Sequence, residues 1–276
     1  MASRLPPKKY LASLHAPLEA LYDRYNRPEF ISPDPLEVLS EYARAEDREI
    51  AGLVSASLAF GTVKQILVSV RKVLQILGPV PSETLRDISD AELHARLDGF
   101  RHRYVAGDDM SRLLVGIRAM QHTHGSLGAA FAAHLRDGDE DILPALERFA
   151  RELRQDAPPA SNYLIPAPEL GSACKRWHMY LRWMVRNDAV DPGCWSQVPA
   201  RLLLVPIDTH MHRVALRLRL TRRPQADIKT AQEITRAFRY IVPDDPARYD
   251  FALTRLGIRK TEDAEDFFAA CGRSAD

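Results

Sequence analysis

The chain has 276 residues, 46% of them hydrophobic and 27% charged. That is the composition of an ordinary folded protein with enough apolar surface for one substantial core or two lobes, and it excludes a disordered tail. Lys and Arg number 38 against 37 Asp and Glu, a formal net charge of +1, so affinity for a polyanion has to come from a local basic patch. Cys174, Cys194 and Cys271 are odd in number, far apart and without a C-x-x-C pair, which argues against a disulfide framework or a structural zinc. The N-terminal stretch MASRLPPKKYLASLHAPLEALYDRYN lacks a continuous apolar run, and nothing in the chain approaches the length of a membrane span. A cytoplasmic protein with reduced thiols is expected.

In chain order, the apolar spacing predicts a first helix over 34–45. The stretch DREIAGLVSASLAF then predicts a helix with Ile50, Leu53, Val54 and Leu58 on its apolar face, and its Gly52, Ser55, Ala56 and Ser57 permit close packing. After a break at Gly61, residues Val63, Ile66, Leu67, Val70, Val73, Leu74 and Leu77 mark one face of an amphipathic helix. The stretch GFRHRYVAGDD at 99–109 reads as a solvated loop, with contact to a phosphate backbone as the alternative. Further helices are predicted over 111–122, 140–155, 170–187, 209–219, 228–241 and 246–257. Proline and glycine clusters at APPASNYLIPAPELG, AVDPGCW and VPDDP break the pattern as loops. No segment alternates with a period of two, so the expectation is an all-α fold, one compact helical unit over 1–276 with two lobes.

Two elements carry candidate chemistry. In PELGSACKRWHMYLRWMVR, residues Leu170, Ala173, Cys174, Trp177, Leu181, Met184 and Val185 share one helical face, and Lys175, His178, Arg182 and Arg186 share another. Gly171, Ser172 and Ala173 are read as opening this helix, where small residues and the positive end of the dipole suit an anion. The competing reading is a capped amphipathic helix with a solvated basic face. In VPIDTHMHRVALRLRL, Met211, Val214, Ala215 and Leu218 form an apolar stripe, while Arg213 and Arg217 point away. Asp208 falls at the N-cap, where backbone N–H groups and the dipole would also keep its carboxylate ionised. His210 and His212 stand two apart on a helix and diverge, which speaks against a metal pair and for packing, hydrogen bonding or phosphate contact.

With those residues in view, VPIDTHMHRVALRLRL resembles the V-D-T-H-V-x-R-V-x-x-R-L element of the helix-hairpin-helix DNA glycosylases, the superfamily of endonuclease III and the 8-oxoguanine glycosylases. LGSACKRWHMYL resembles the hairpin that precedes it, P-G-V-G-R-K-T-A-N-V-V-L in endonuclease III. Upstream, AGLVSASLAFGTVKQILVSVRKVL is similar to the superfamily's early helix pair, and DPARYDFALTRLGIR to its closing helix. Over its whole length the chain is similar to an uncharacterised bacterial family of unknown function, DUF 2400, through phrases such as DREIAGLVSASLAFG, GSACKRWHMYLRWMVR and YDFALTRLGI. The sequence departs from the superfamily where Leu170 replaces the hairpin proline and Ala173 its second glycine. The four-cysteine iron–sulfur loop is also absent after Gly257. The separation of Lys175 from Asp208 is similar to that in the archaeal 8-oxoguanine glycosylases.

The resemblance implies a two-lobed helix-hairpin-helix fold without a cluster or other cofactor, with the hairpin and catalytic segment at about 164–220. It implies a DNA glycosylase with AP-lyase activity, 8-oxoguanine-type lesions favoured, acting as a monomer on double-stranded DNA in the nucleoid and not at a membrane. Lys175 would attack the sugar C1′, its amine kept neutral by burial or by Arg176 and Arg182, and Asp208 would stabilise the charge that develops there. Gly171, Ser172, Ala173, Arg176, His210 and Arg213 would contact DNA phosphates. Lys64 and Gln65 would contribute to the wedge and base pocket, and Trp177, Trp183, Trp195 or Phe60 could stack on an everted base, although Trp177 lies on the apolar stripe and is expected in the core. Two readings compete: a non-catalytic DNA-binding helix-hairpin-helix protein, and a metal-dependent hydrolase using Asp208, His210 and His212.

Overall fold

Burying an apolar stripe on each of many short amphipathic helices requires that they cover one another, and the computed structural model, which describes residues 5–159, 161–258 and 263–273, is mostly helical. Its α-helices are α1 (Lys8–Ser13), α2 (His15–Tyr25), α3 (Ala45–Ser57), α4 (Val63–Leu77), α5 (Pro81–Asp87), α6 (Asp90–Arg96), α7 (Gly107–His124), α8 (Leu127–Ala133) and α9 (Leu143–Leu153), followed by α10 (Lys175–Val185), α11 (Thr209–Arg217), α12 (Ile228–Ile241), α13 (Asp250–Ile258) and α14 (Asp263–Arg273). A two-residue hairpin, β1 (Arg101–His102) against β2 (Val105–Ala106), is the only sheet among the described residues.

The helix stripes behave as the periodicity predicts. In α4, Ile66, Leu67, Val70, Val73, Leu74 and Leu77 are buried; Thr62 caps the start by accepting the Gln65 N–H, and Gly78 ends the helix at φ 76°. In α3, the apolar residues and the small Gly52, Ser55, Ala56 and Ser57 are all buried. Three expectations change. Residues 34–45 form a 3-10 turn over Pro35–Glu41, capped by Asp34 and ended by extended backbone at Tyr42. Its buried Leu36 and Leu39 stand three apart, the spacing that eclipses side chains in a 3-10 helix. The helix expected over 170–187 begins only at Lys175. GFRHRYVAGDD is not a solvated loop: it folds as the β1–β2 hairpin with Phe100, His102 and Val105 buried and Arg101, Arg103 and Tyr104 exposed.

The chain divides into two compact units, one made of residues 1–30, 171–182 and 199–276, the other of 31–170 and 183–198. In the first, α1 packs on α12, α2 on α13 and α14, and α11 on α13. Arg248 grips both carboxylate oxygens of Glu19 at 3.0 and 2.9 Å, tying α2 to the approach of α13. In the second, Trp195 stacks on Phe131 with centroids 5.3 Å apart, and its indole N–H donates to Glu49 at 2.7 Å. Glu49 also accepts the Leu127 and Gly128 N–H groups at the start of α8, 2.9 and 3.1 Å away. Gly128 has to be glycine, because a Cβ there would lie 2.6 Å from the Trp195 ring.

Burial pushes the Glu49 carboxyl up to about 7, against the three N–H groups that favour its anion. An acid whose folded pKa is raised contributes stability that is full below the unfolded value of 4.5 and lost as pH rises through about 7. The loss over that window is on the order of 3 kcal/mol. Urea denaturation at several pH values between 5 and 8 should show wild type losing stability relative to Glu49→Gln as pH rises. A difference that is flat, or that runs the other way, contradicts this environment for Glu49.

Candidate functional site

Lys175 and Asp208, 33 residues apart in the chain, meet in the first unit with Nζ 2.8 Å from Oδ2. The turn before Lys175 makes the meeting possible. Gly171 takes φ 80° and Cys174 φ 45°, so the chain reverses sharply before α10 starts. The Gly171 carbonyl accepts the Ile228 N–H at 3.3 Å, and Ser172 pairs with Asp227 in an antiparallel bridge, which pins the turn to the head of α12. Gly171, Ser172 and Ala173 therefore precede the helix and do not form its first turn; Lys175 does. A lysine there stands at the positive end of the helix dipole, a placement that costs a few tenths of a kcal/mol to about 1 kcal/mol unless an anion compensates.

Asp208 supplies that anion while capping α11. Its Oδ1 accepts the His210 and Met211 N–H groups at 2.9 and 2.8 Å, leaving Oδ2 for the ammonium. Burial alone would raise this carboxyl, but the Lys175 charge and hydrogen bond, with the two backbone N–H groups, outweigh it and hold Asp208 below the usual carboxylate range. Both side chains still reach solvent, at 40% exposure for Lys175 and 33% for Asp208.

Behind the pair lies an ion pair that the sequence reading missed. Arg182, two turns further along the same face of α10, donates to Asp250, the first residue of α13, and both are buried. Burial raises the Asp250 carboxyl, the Arg182 charge opposes this, and the charges of Asp208 and Lys175 are also felt there, so the two pairs form one electrostatic cluster. The expected solvated basic face of Lys175, His178, Arg182 and Arg186 is thus corrected: only Lys175 reaches solvent substantially. His178 is buried, its imidazole pushed down to about 4 by burial, and Arg186 is enclosed with Asp188 and Asp191. The Arg182 charge is balanced by Asp250, and the group touching Lys175 is a carboxylate. A hydrophobic-plus-basic helix reads from sequence as amphipathic; an acid 68 residues downstream, in DFALTRLGI, is what allows its basic side to be buried.

The remaining candidates separate. Arg213 is exposed on α11, and Arg176 is half-buried beside Lys175. His210 is half-buried, with a ring Nε2 that has no partner among the described residues, whereas His212 is buried and its Nε2 meets the Arg223 carbonyl at 2.8 Å. Their divergence follows the helical spacing, and no group of three or more His, Cys, Asp or Glu among the described residues is arranged to hold a metal ion. Lys64 and Gln65 are exposed on the first turn of α4, in the second unit. Trp177, Trp183 and Trp195 are all buried, so none offers a face to a base. Phe60 is half-buried in a cluster that the sequence did not announce: Tyr104 stacks on it at 5.4 Å and Tyr163 meets it edge-on at 5.1 Å, with those tyrosines 57% and 48% exposed.

A mostly helical protein with no helix, among the described residues, long and apolar enough to cross a membrane, and with a half-exposed lysine–carboxylate pair at two helix heads, is the class this geometry defines. The chain belongs to the family described as "Protein of unknown function (DUF2400)", which matches residues 34–259. No curated protein and no solved structure matches it at a significant level.

Because the two Asp208 oxygens have separate partners, substitutions should separate them. Asp208→Ala removes the cap and should cost about 1 kcal/mol in denaturant unfolding, whereas Asp208→Asn keeps a cap oxygen and should cost far less. Equal losses in the two variants would show that charge, and not capping, holds α11 in place.

Proposed function

We propose that this protein is a DNA repair glycosylase with AP-lyase activity that excises a damaged base through Lys175 and Asp208. One observation carries the reading: an ammonium and a carboxylate from distant parts of the chain lie 2.8 Å apart, each at a helix head and each open to solvent. A half-exposed pair of this kind contributes only ~0–1 kcal/mol to stability, so stability is a weak reason to hold a lysine at the positive end of a helix. The likeness of the surrounding residues to the helix-hairpin-helix glycosylases supplies the substrate, and the 33-residue spacing favours an 8-oxoguanine-type lesion.

In this reading Lys175 hands a proton to Oδ2 and attacks C1′ as the bond to the everted base breaks, the base leaving with the bonding pair and taking up a proton. The sugar opens to a Schiff base with Nζ, loses a C2′ proton and releases the 3′ phosphate, and water then frees the lysine. Asp208, ionised again once that proton has passed to the departing base, stabilises the positive charge on the sugar. Arg213 and Arg176 suit phosphate contacts, which set register without reading sequence. The exposed Tyr104 and Tyr163 rings offer faces of the kind on which unpaired bases stack. A second reading, DNA binding without catalysis, draws on the same pair, since Lys175 and Asp208 satisfy each other without a substrate.

Incubation with a duplex carrying 8-oxoguanine or an abasic site, followed by borohydride, separates the two. The enzyme traps a covalent adduct that disappears in Lys175→Gln and falls by on the order of 10²-fold in Asp208→Asn. Chelator leaves it unchanged, and DNA affinity drops steeply as salt rises. Salt-sensitive binding with no adduct on either duplex would favour the second reading and end the first.

A further inference from the structure

The second unit contains a cavity of about 310 Å³ where α7, α9 and the chain after α9 come together. The two helices approach closely at Gly116, where a Cβ would lie 2.1 Å from the Leu153 carbonyl oxygen. Arg154, at the C-terminal cap of α9, forms part of the cavity wall with a side chain only 2% exposed. Its Nη2 donates to Glu169 at 2.9 Å, but Nε and Nη1 have no partner among the described residues. A buried guanidinium that leaves N–H groups unmade is unfavourable, because those groups have given up water and received nothing in return. Arg112 lines the same cavity from α7, its Nη1 making only a long 3.4 Å contact to the Ser161 carbonyl. The one acid in the lining, Asp90, is already matched by Arg118. Val115, Leu153 and Ile165 supply an apolar part of the remaining wall, beside the polar His94, Gln155, Ser161 and Asn162.

We propose that this cavity binds a small organic oxyanion, a carboxylate or a phosphate ester, with Arg154 and Arg112 as its cationic donors and an apolar body against Val115, Leu153 and Ile165. Arg154, Arg112, Arg118, Asp90 and Glu169 together carry one excess positive charge, which a single oxyanion group balances. The cavity is of a size that takes a small molecule. None of these residues belongs to the Lys175–Asp208 pair, and the inference does not rest on DNA chemistry.

The test is thermal denaturation and titration calorimetry of the full chain with inorganic phosphate, adenosine 5′-monophosphate and benzoate, each against chloride at matched ionic strength. At least one of the three should raise Tm saturably, by about 2 °C or more at high occupancy. The phosphate probes and benzoate distinguish the two sources of the oxyanion. The response should weaken roughly tenfold or more in Arg112→Gln, whose side chain is exposed and whose loss leaves the core intact, and in Arg154→Met. It should persist in Arg213→Gln. No response to any probe overturns the proposal, as does a response that survives Arg112→Gln or is lost in Arg213→Gln. If Arg154→Met fails to fold, Arg112→Gln decides.

Discussion

A carboxylate has two oxygens, and at Asp208 they answer to different masters: one gathers the first free N–H groups of α11, the other meets the Lys175 ammonium. The division fixes the site. Capping holds the carboxylate in direction without help from the lysine, so the position of Oδ2 does not depend on Lys175. The same N–H groups favour the anion, so a half-buried side chain still keeps its charge. Lys175 depends on this in turn, because the head of its own helix repels it and Asp208 supplies the compensating charge.

Three buried or half-buried acids in this molecule show how partner type sets behaviour. Glu49 receives three N–H groups around the Trp195 core, and burial nevertheless raises its pKa. Asp250 is matched by the Arg182 guanidinium, a buried pair in which removing either partner would leave a stranded charge, by general experience about 3–5 kcal/mol of destabilisation. Asp208 combines the two kinds of partner and alone of the three retains a substantial opening to solvent. Water access, more than pKa, sets it apart from the other two.

Much of the architecture was legible because it is periodic. The stripe of α4 and the small-residue face of α3 were readable as buried, and Asp208 as an N-cap, since caps and stripes are local properties of a few adjacent residues. What was lost depends on partners distant in sequence. Arg182 and His178 look like a wet basic face until Asp250 and the packing around α10 are known. The start of α10 was misplaced by five residues because the turn over Gly171–Cys174 is held by Asp227 and Ile228, more than fifty positions away. Tyr104 and Tyr163 lie far apart in the chain, and only the hairpin of β1 and β2 brings the first beside Phe60.

The division of the chain has a consequence for the order of events on the ribosome. The second unit is almost continuous, whereas the first is assembled from three stretches, with Tyr10 bonded to the Leu218 carbonyl and Glu19 to Arg248 and Tyr249. Its opening helices emerge first and must wait, unsatisfied, for partners synthesised more than two hundred residues later. Long-range closure of this kind is slow. A chain that stalls before α12 therefore carries Lys175 and Asp208 but lacks Asp227 and Ile228, which pin the turn ahead of α10.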